Sequence, residues 1–271
     1  MIVNYPRMRR RKAAEPIASV TPTAGVTYIN GLSGLEAPDV TAFAQAISNN
    51  SGITYKTITV YVDFGSIHRK ISVGDQVTLP LNGTNYAFDI IGFNHDELSD
   101  STAYGAATAT GKAGFTFQMH DLFATLFAMN DKATNSGGWK QSKMRTSTMV
   151  LMKGYLPSAW QAAIKTVNKL AASGSDARWD YIETVSDDCF LLSESEITDN
   201  TYGWYEEASN QYAYYKAGNS KIKKWNGSPY AWFERSAAFT YDGKFCTIDN
   251  AGNVSFDVAN ADFGVAFGFC V

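Results

Sequence analysis

Residues 57–93 run TITVYVDFGSIHRKISVGDQVTLPLNGTNYAFDIIGF. Apolar and polar residues alternate along most of this stretch, which is the two-residue period of a half-buried β-strand. Turn residues interrupt the alternation at Asp63–Ser66, at Gly74-Asp75 and at Asn82-Gly83. An Asn-Gly pair between apolar runs is a strong signal for a two-residue hairpin turn. The stretch therefore predicts four short strands joined as a β-meander.

The chain before the meander predicts a basic arm and one short helix. Residues 1–24 are basic and then rich in Ala, Pro and Thr, so we expect a flexible docking arm, with a disordered terminus as the alternative. Within residues 25–56, Pro38 opens an amphipathic helix that Asn49–Gly52 end. Its apolar face is formed by Val40, Phe43, Ala44 and Ile47. The positive charges of the arm are Arg7, Arg9, Arg10, Arg11 and Lys12.

The chain after the meander mixes the two periods. Residues 157–172 predict the clearest helix, in which Lys165 and Lys169 lie on the polar face. Residues 187–192 predict a buried strand, and Ser193 with Glu196 forms a capping box. Short strands follow beyond residue 231. We expect an α+β fold with one domain over residues 57–271, composed of the meander at 57–93 and a mixed part from about residue 94.

Composition and charge exclude several classes of protein. The 271 residues include 23 basic and 26 acidic side chains, a net charge of −3, and without the five charges of the arm the remaining 18 basic and 26 acidic residues give −8. Nucleic-acid binding is therefore not expected, except through the arm. We expect no membrane partner and no signal peptide, because no apolar run approaches about 20 residues and no apolar region follows the basic terminus. Three scattered cysteines favour synthesis in a reducing cytosol.

Motifs for catalysis are sparse. The sequence has no GxSxG, P-loop, GxGxxG or HExxH motif, so we predict no catalytic residues and no cofactor. The loop Asn94–Asp100 is rich in oxygen ligands, which makes Asp96, Glu97 and Asp100 a calcium candidate. The spacing of an EF-hand is absent, so a polar turn without metal is the expectation.

Aromatic residues are abundant at 14% of the chain. Most of those between residues 204 and 233 are expected in the core, and Trp225, Tyr230 and Trp232 are candidates for binding a sugar ring or a partner side chain. Arg235 follows this aromatic stretch, where a guanidinium can stack on rings and bind carbonyls or a carboxylate. We expect Arg235 to be a structural staple rather than a catalytic residue.

Several blocks between residues 72 and 271 resemble an uncharacterised domain family, a domain of unknown function frequent in gut Gram-positive bacteria and their prophages. The C-terminal part is also similar to C-type-lectin-like and formylglycine-enzyme-like domains, which implies a ligand-display fold. Two departures are Phe233, where the family has a second Trp, and Ala237, where it has Pro. The blocks are IIGFNHD at 90–96, GGWKQSKMR at 137–145, YLP at 155–157, DCFLLSESE at 188–196, WFERS at 232–236 and GVAFGFCV at 264–271.

The resemblance and the separation of a basic arm from an acidic domain imply a bacteriophage virion structural protein. It would be a head or tail fibre, a capsid decoration protein or a host-surface adhesin, assembled in the bacterial host cytoplasm. Capsid, portal or tail proteins and further copies of itself would be its partners, and its ligand a host-surface glycan or protein. The alternative is a bacterial carbohydrate- or protein-binding module of a cell-surface system. A cell-wall glycan hydrolase would need a carboxylate pair such as Asp187/Asp188 or Glu206/Glu207.

Overall fold

The structure is a computed structural model that describes residues 15–174, 182–198, 210–238 and 240–271. These residues form an α+β fold in which strands are arranged in several sheets. The helices are α1 Ala37–Ser48, α2 Gly138–Gln141, α3 Met149–Tyr155, α4 Ser158–Ala163, α5 Glu194–Ile197 and α6 Ala213–Lys216, with a π-helix at Met144–Thr148. The strands are β1 Ile17–Ser19, β2 Ile29–Asn30, β3 Thr59–Phe64, β4 Ile67–Ser72, β5 Gln76–Leu81, β6 Thr84–Phe93, β7 Glu97–Leu98, β8 Phe115–Met119, β9 Val167–Ala172, β10 Ile182–Asp187, β11 Cys189–Phe190, β12 Lys223–Trp225, β13 Ser228–Tyr230, β14 Trp232–Ala237, β15 Lys244–Ile248, β16 Val254–Val258 and β17 Gly268–Cys270.

The predicted meander is confirmed as β3, β4, β5 and β6. Asn82 and Gly83 have φ of 47° and 83°, and positive φ at both central residues is what a type I′ hairpin turn requires. Strands β3 and β4 belong to an N-terminal sheet of order β1-β3-β4-β2. Strands β5 and β6 belong to a central antiparallel sheet of order β11-β17-β8-β6-β5. The meander therefore joins two sheets.

The predicted helix over residues 38–47 is also confirmed, as α1. Its capping box links Glu36 and Asp39, and its buried residues include Val40, Phe43 and Ile47. The Phe43 ring meets the Phe64 ring of β3 edge to face at 6.2 Å. A twelve-residue helix is marginal alone, and this packing supplies its stability.

The predicted arm spans residues 1–24, but strand β1 begins within this range, at Ile17. Ala18 of β1 is buried, and the backbone of β1 pairs with residues 61–63 of β3. Arg7, Arg9, Arg10, Arg11 and Lys12 lie outside the described residues.

The predicted helix over residues 157–172 is wrong in its second half. The helix ends at Ala163, and residues 167–172 form β9, which pairs with β10 along its whole length. Val167, Lys169 and Ala171 point inward at the two-residue period of a strand. Positions 167 and 171 are separated by four residues, which fits either a helix or a strand, so the apolar pattern alone did not distinguish them. Lys169 therefore lies in the interior of the protein and not on a solvent-facing helix surface.

The Gly137–Arg145 block packs against the β9–β10 pair. Gly138 has a φ of 52°, and a Cβ on it would overlap the carbonyl of Ala172. The fully buried Trp139 donates its indole N–H to Asp187 at 2.7 Å, and Arg145 Nε donates to the same carboxylate at 2.6 Å. No helix in the described ranges is long and apolar enough to cross a membrane.

Candidate functional site

Four charged side chains from distant parts of the chain meet in the interior, and we call them the buried ion cluster. They are Asp96, Lys169, Glu196 and Arg235, each at most 4% exposed. Lys169 Nζ donates to Asp96 Oδ1, and it donates to Glu196 Oε1 at 3.0 Å. Arg235 donates to the other Glu196 oxygen at 2.5 Å. The cluster contains two carboxylates and two cations, so its formal charges balance.

Neutral groups supply further hydrogen bonds to the cluster. Tyr212 accepts from Lys169 Nζ at 2.8 Å and donates its hydroxyl to Asp96 at 2.9 Å. Arg235 also donates to the backbone carbonyls of Leu170 and Leu191. Buried charges are tolerated only when they are paired and hydrogen-bonded in this manner.

The pairing shifts the ionisation of the cluster. Burial alone would raise the pKa of Asp96, but the charges of Lys169 and His95 and the hydrogen bonds from both side chains together outweigh burial and hold this pKa well below its usual range. Burial likewise opposes ionisation of Glu196, and the charges of Arg235 and Lys169 lower its pKa. Burial would lower the pKa of Lys169, whereas Asp96 and Glu196 raise it. Burial and the charge of Asp96 raise the pKa of Tyr212 well above its ordinary value. All four cluster side chains are therefore charged at neutral pH, and Tyr212 is protonated.

Local sequence explains how two of these groups are held. Alternation along β9 turns Lys169 inward between Asn168 and Leu170. The predicted capping box is confirmed, because Ser193 Oγ accepts from the Glu196 backbone N–H and Glu196 accepts from the Ser193 N–H. Glu196 thus caps α5 with the same carboxylate that binds Arg235.

A polar cavity of about 290 Å³ lies against this cluster. Its outer wall is formed by Glu97, Lys112, Asn168, Leu170, Thr184 and Asn210. His95 borders it and stacks on the Tyr212 ring at 3.8 Å between ring centres. One imidazole nitrogen of His95 faces Asp96 Oδ1 at 3.3 Å and the other faces the Asn210 carbonyl at 2.6 Å. His95 therefore uses both nitrogens to hold the cavity wall.

The calcium candidate residues do not converge. Asp96 is buried and its oxygens are bound by Lys169, Tyr212 and Thr116, whereas Glu97 and Asp100 are exposed. Asp100 accepts hydrogen bonds from Thr102. Among the described residues, no group of three or more His, Cys, Asp and Glu side chains is placed to hold a metal ion.

The candidate aromatic residues have different environments. Trp232 is fully buried and donates its indole N–H to the Lys221 carbonyl, so its ring lies inside the protein. Trp225 and Tyr230 are half-buried and lie diagonally on the β12–β13 hairpin, with their ring centres 5.3 Å apart. Only these last two present part of a ring to solvent.

The paired acids considered for glycan hydrolysis point to separate partners. Asp187 is bound by Trp139 and Arg145, while Asp188 accepts from Lys153 at 2.6 Å and from Thr166 at 2.5 Å. They lie beside a second groove of about 660 Å³. Glu206 and Glu207 lie outside the described residues.

Sequence reasoning missed Lys169 and Tyr212 as members of a site and assigned Glu196 only to a helix cap. The alternation of residues 167, 169 and 171 was the available signal for Lys169. No local pattern marked Tyr212, whose hydroxyl meets a carboxylate 116 positions away.

Residues 114–271 match the family model DUF6273, described as a domain of unknown function. The chain belongs to this family. The match extends from Gly114 to the last residue, so it includes Lys169, Glu196, Tyr212 and Arg235. Asp96 lies before it, which means that the segment preceding the DUF6273 region completes the buried ion cluster. Neither the curated proteins nor the solved structures gave a match to the chain.

Proposed function

We propose that this protein is a structural component of a bacteriophage particle. The N-terminal segment docks on a capsid, portal or tail protein, and the α+β domain, with a C-type-lectin-like fold, acts at the host surface as a fibre, decoration protein or adhesin. The prophage association of the resembled family supports this proposal. The protein would reside in the virion as a homo-oligomer.

The observation on which the proposal rests is the environment of β1. This strand lies at the edge of the N-terminal sheet with β3 on one side, and Ile17 is 69% exposed and Val20 49% exposed. Edge strands with apolar side chains pair readily with other chains. The five positive charges of residues 7–12 precede this strand in the sequence and favour an acidic partner.

The proposal assigns binding rather than catalysis to the protein. The carboxylates of the cluster, Asp187 and Asp188 are each engaged by a cation, whereas a general acid or base must reach its substrate. No cofactor is part of the proposed function.

Mass spectrometry of gradient-purified particles from the source strain tests the proposal. We expect this protein in fixed ratio to the major capsid protein, and the ratio will distinguish shell, ring and fibre. Absence from purified particles would overturn it.

A docking variant tests the role of β1. Ile17→Lys with Val20→Lys places charges at the exposed edge without touching the core, so we expect the folded variant to be lost from particles. Ile222→Lys changes an isoleucine that is 40% exposed elsewhere, and this control should be incorporated normally. Equal incorporation of both variants would contradict docking through β1.

The second candidate is a binding module of a bacterial cell-surface system. The polar cavity beside the buried ion cluster favours it, because small-ligand sites are concave and present a few fixed polar groups. Finding the protein on the cell surface and not in particles would favour this candidate.

A further inference from the structure

We propose that the polar cavity binds one neutral monosaccharide unit of a glycan. This inference rests on the proposed binding function and adds the chemical class of the ligand and the residues that contact it.

The outer wall of the cavity is a row of polar side chains across adjacent strands. Lys112 pairs with Glu97, Glu97 pairs with Asn168, and Asn168 pairs with Ser186. Directly opposed residues share one face of a sheet, with Cβ atoms about 4.5–5.5 Å apart. Thr184 is opposite Leu170, two positions further along the same face. The row presents a cation, a carboxylate and an amide side by side.

The free hydrogen-bonding groups of this row alternate between donors and acceptors. Glu97 is exposed, so its carboxylate is accessible on this face of the sheet. Lys112 uses one of its three N–H groups on the His95 carbonyl at 3.1 Å. Asn168 accepts from Ser186 through its oxygen, which leaves its amide N–H groups as donors. An acceptor flanked by two donors matches neighbouring hydroxyl groups, each of which both donates and accepts.

Charge balance favours a neutral ligand over an ionic one. The formal charges of Glu97 and Lys112 cancel on the outer wall. The charges of the two carboxylates and two cations of the buried ion cluster cancel beneath that wall. The two ring nitrogens of His95 already face Asp96 and Asn210, so neither is available to a ligand.

The size of the cavity limits the ligand to one ring. Its volume of about 290 Å³ lies just below the range of about 300–1,000 Å³ for small-molecule sites. A polyhydroxylated ring is the ligand that combines this size with zero charge and adjacent hydroxyl groups.

Saturation-transfer NMR on the full chain tests this inference. The probes are methyl glucoside, methyl galactoside and N-acetylglucosamine at millimolar concentration, with glucose 6-phosphate and free lysine as charged comparisons. We expect transfer to at least one neutral sugar and weaker or no transfer to the charged compounds. Transfer confined to the charged compounds, or to none of the five, would overturn the inference.

Two wall variants locate the site. Glu97→Ala removes the acceptor and Asn168→Ala removes the neighbouring donors, so each should weaken sugar binding at least tenfold. Asn85→Ala, on an exposed position of β6, is the matched control and should leave binding unchanged. Sugar binding that survives both wall variants would place the site elsewhere and reject this cavity. Circular dichroism and thermal unfolding of each variant separate loss of binding from loss of fold.

The particle experiment remains independent of these outcomes. If the protein is present in particles but binds no sugar, the sugar-binding inference is rejected and the virion proposal stands. If it binds sugar but is absent from particles, the result supports the cell-surface module.

Discussion

Lys169 and Asp96 form an ion pair across 73 positions of the sequence, and their side chains are 1% and 3% exposed. Lys169 lies in β9, inside the DUF6273 match, and Asp96 follows β6, outside it. The pair therefore connects the segment before the DUF6273 region to that region itself through a contact that water does not screen.

Replacing Lys169 by Met should destabilise the protein by about 3–5 kcal/mol, because Asp96 would be left as a buried charge without its main partner. Urea unfolding followed by tryptophan fluorescence measures this change. Lys143→Met is the control, since Lys143 pairs with Asp131 on the surface, where the two side chains are 52% and 76% exposed and pairs contribute little. Equal effects of the two substitutions would contradict a structural role for the buried pair.

Acid should unfold the protein through Asp96 and Glu196. Both have pKa values lowered in the folded state, while the unfolded chain has values of about 3.9 for Asp and about 4.3 for Glu. A lowered folded pKa gives stability that is present above the unfolded pKa and is lost as pH falls through the folded pKa. We expect the free energy of unfolding to decrease from about pH 5 downward.

Glu196→Gln identifies the source of that pH dependence. The variant has one fewer carboxylate to protonate, so its stability should change less steeply between pH 5 and pH 3 than that of the native chain. Urea midpoints at several pH values in this window measure the slope. If the stability of the variant depends on pH as steeply as that of the native chain, acid acts through other carboxylates.

Replacing Arg235 by Lys should destabilise the protein by about 3 kcal/mol, although the charge is kept. The guanidinium binds Glu196 and two backbone carbonyls at once, and a single ammonium cannot reproduce that geometry. Arg69→Lys is a matched control at a buried arginine with one long contact, to the Gly31 carbonyl at 3.5 Å. Thermal unfolding measures the stability of both variants. If Arg69→Lys loses as much stability as Arg235→Lys, the result would argue against a structural staple at Arg235.

Gly114→Ala should weaken the packing of α1 on the domain. A Cβ on Gly114 would overlap the backbone of Ala44 in α1, and forced overlap costs about 1–3 kcal/mol. Gly154→Ala, in α3, has open space around its Cβ and should be neutral or stabilising by up to about 1 kcal/mol. Thermal unfolding of both variants, together with hydrogen exchange of α1 amides, is the measurement. Unchanged protection of α1 in Gly114→Ala would refute this contact.

Local patterns predicted the elements that depend on neighbouring residues. The meander followed from alternation and the Asn82-Gly83 turn, and α1 followed from apolar spacing between Pro38 and Asn49. The capping box at Ser193 was found in the same way, because a helix cap involves residues three positions apart. These features are encoded within about ten residues.

The sequence did not predict the environment of Lys169 or of Asp96. Lys169 was assigned to a solvent-facing helix surface and is buried in a strand. Asp96 was considered for calcium, yet Thr116, Lys169 and Tyr212, which are 20, 73 and 116 positions away, donate hydrogen bonds to its oxygens.

By itself, the sequence determined the α+β class, the meander, the first helix and the membership of a domain family. Only the tertiary structure decided which charges are interior, which of them pair, and where a cavity opens beside them. The physical reason is that strand and turn preferences arise from contacts between near neighbours. The cost of burying a charge is set by the partner that folding brings to it from a distant part of the chain.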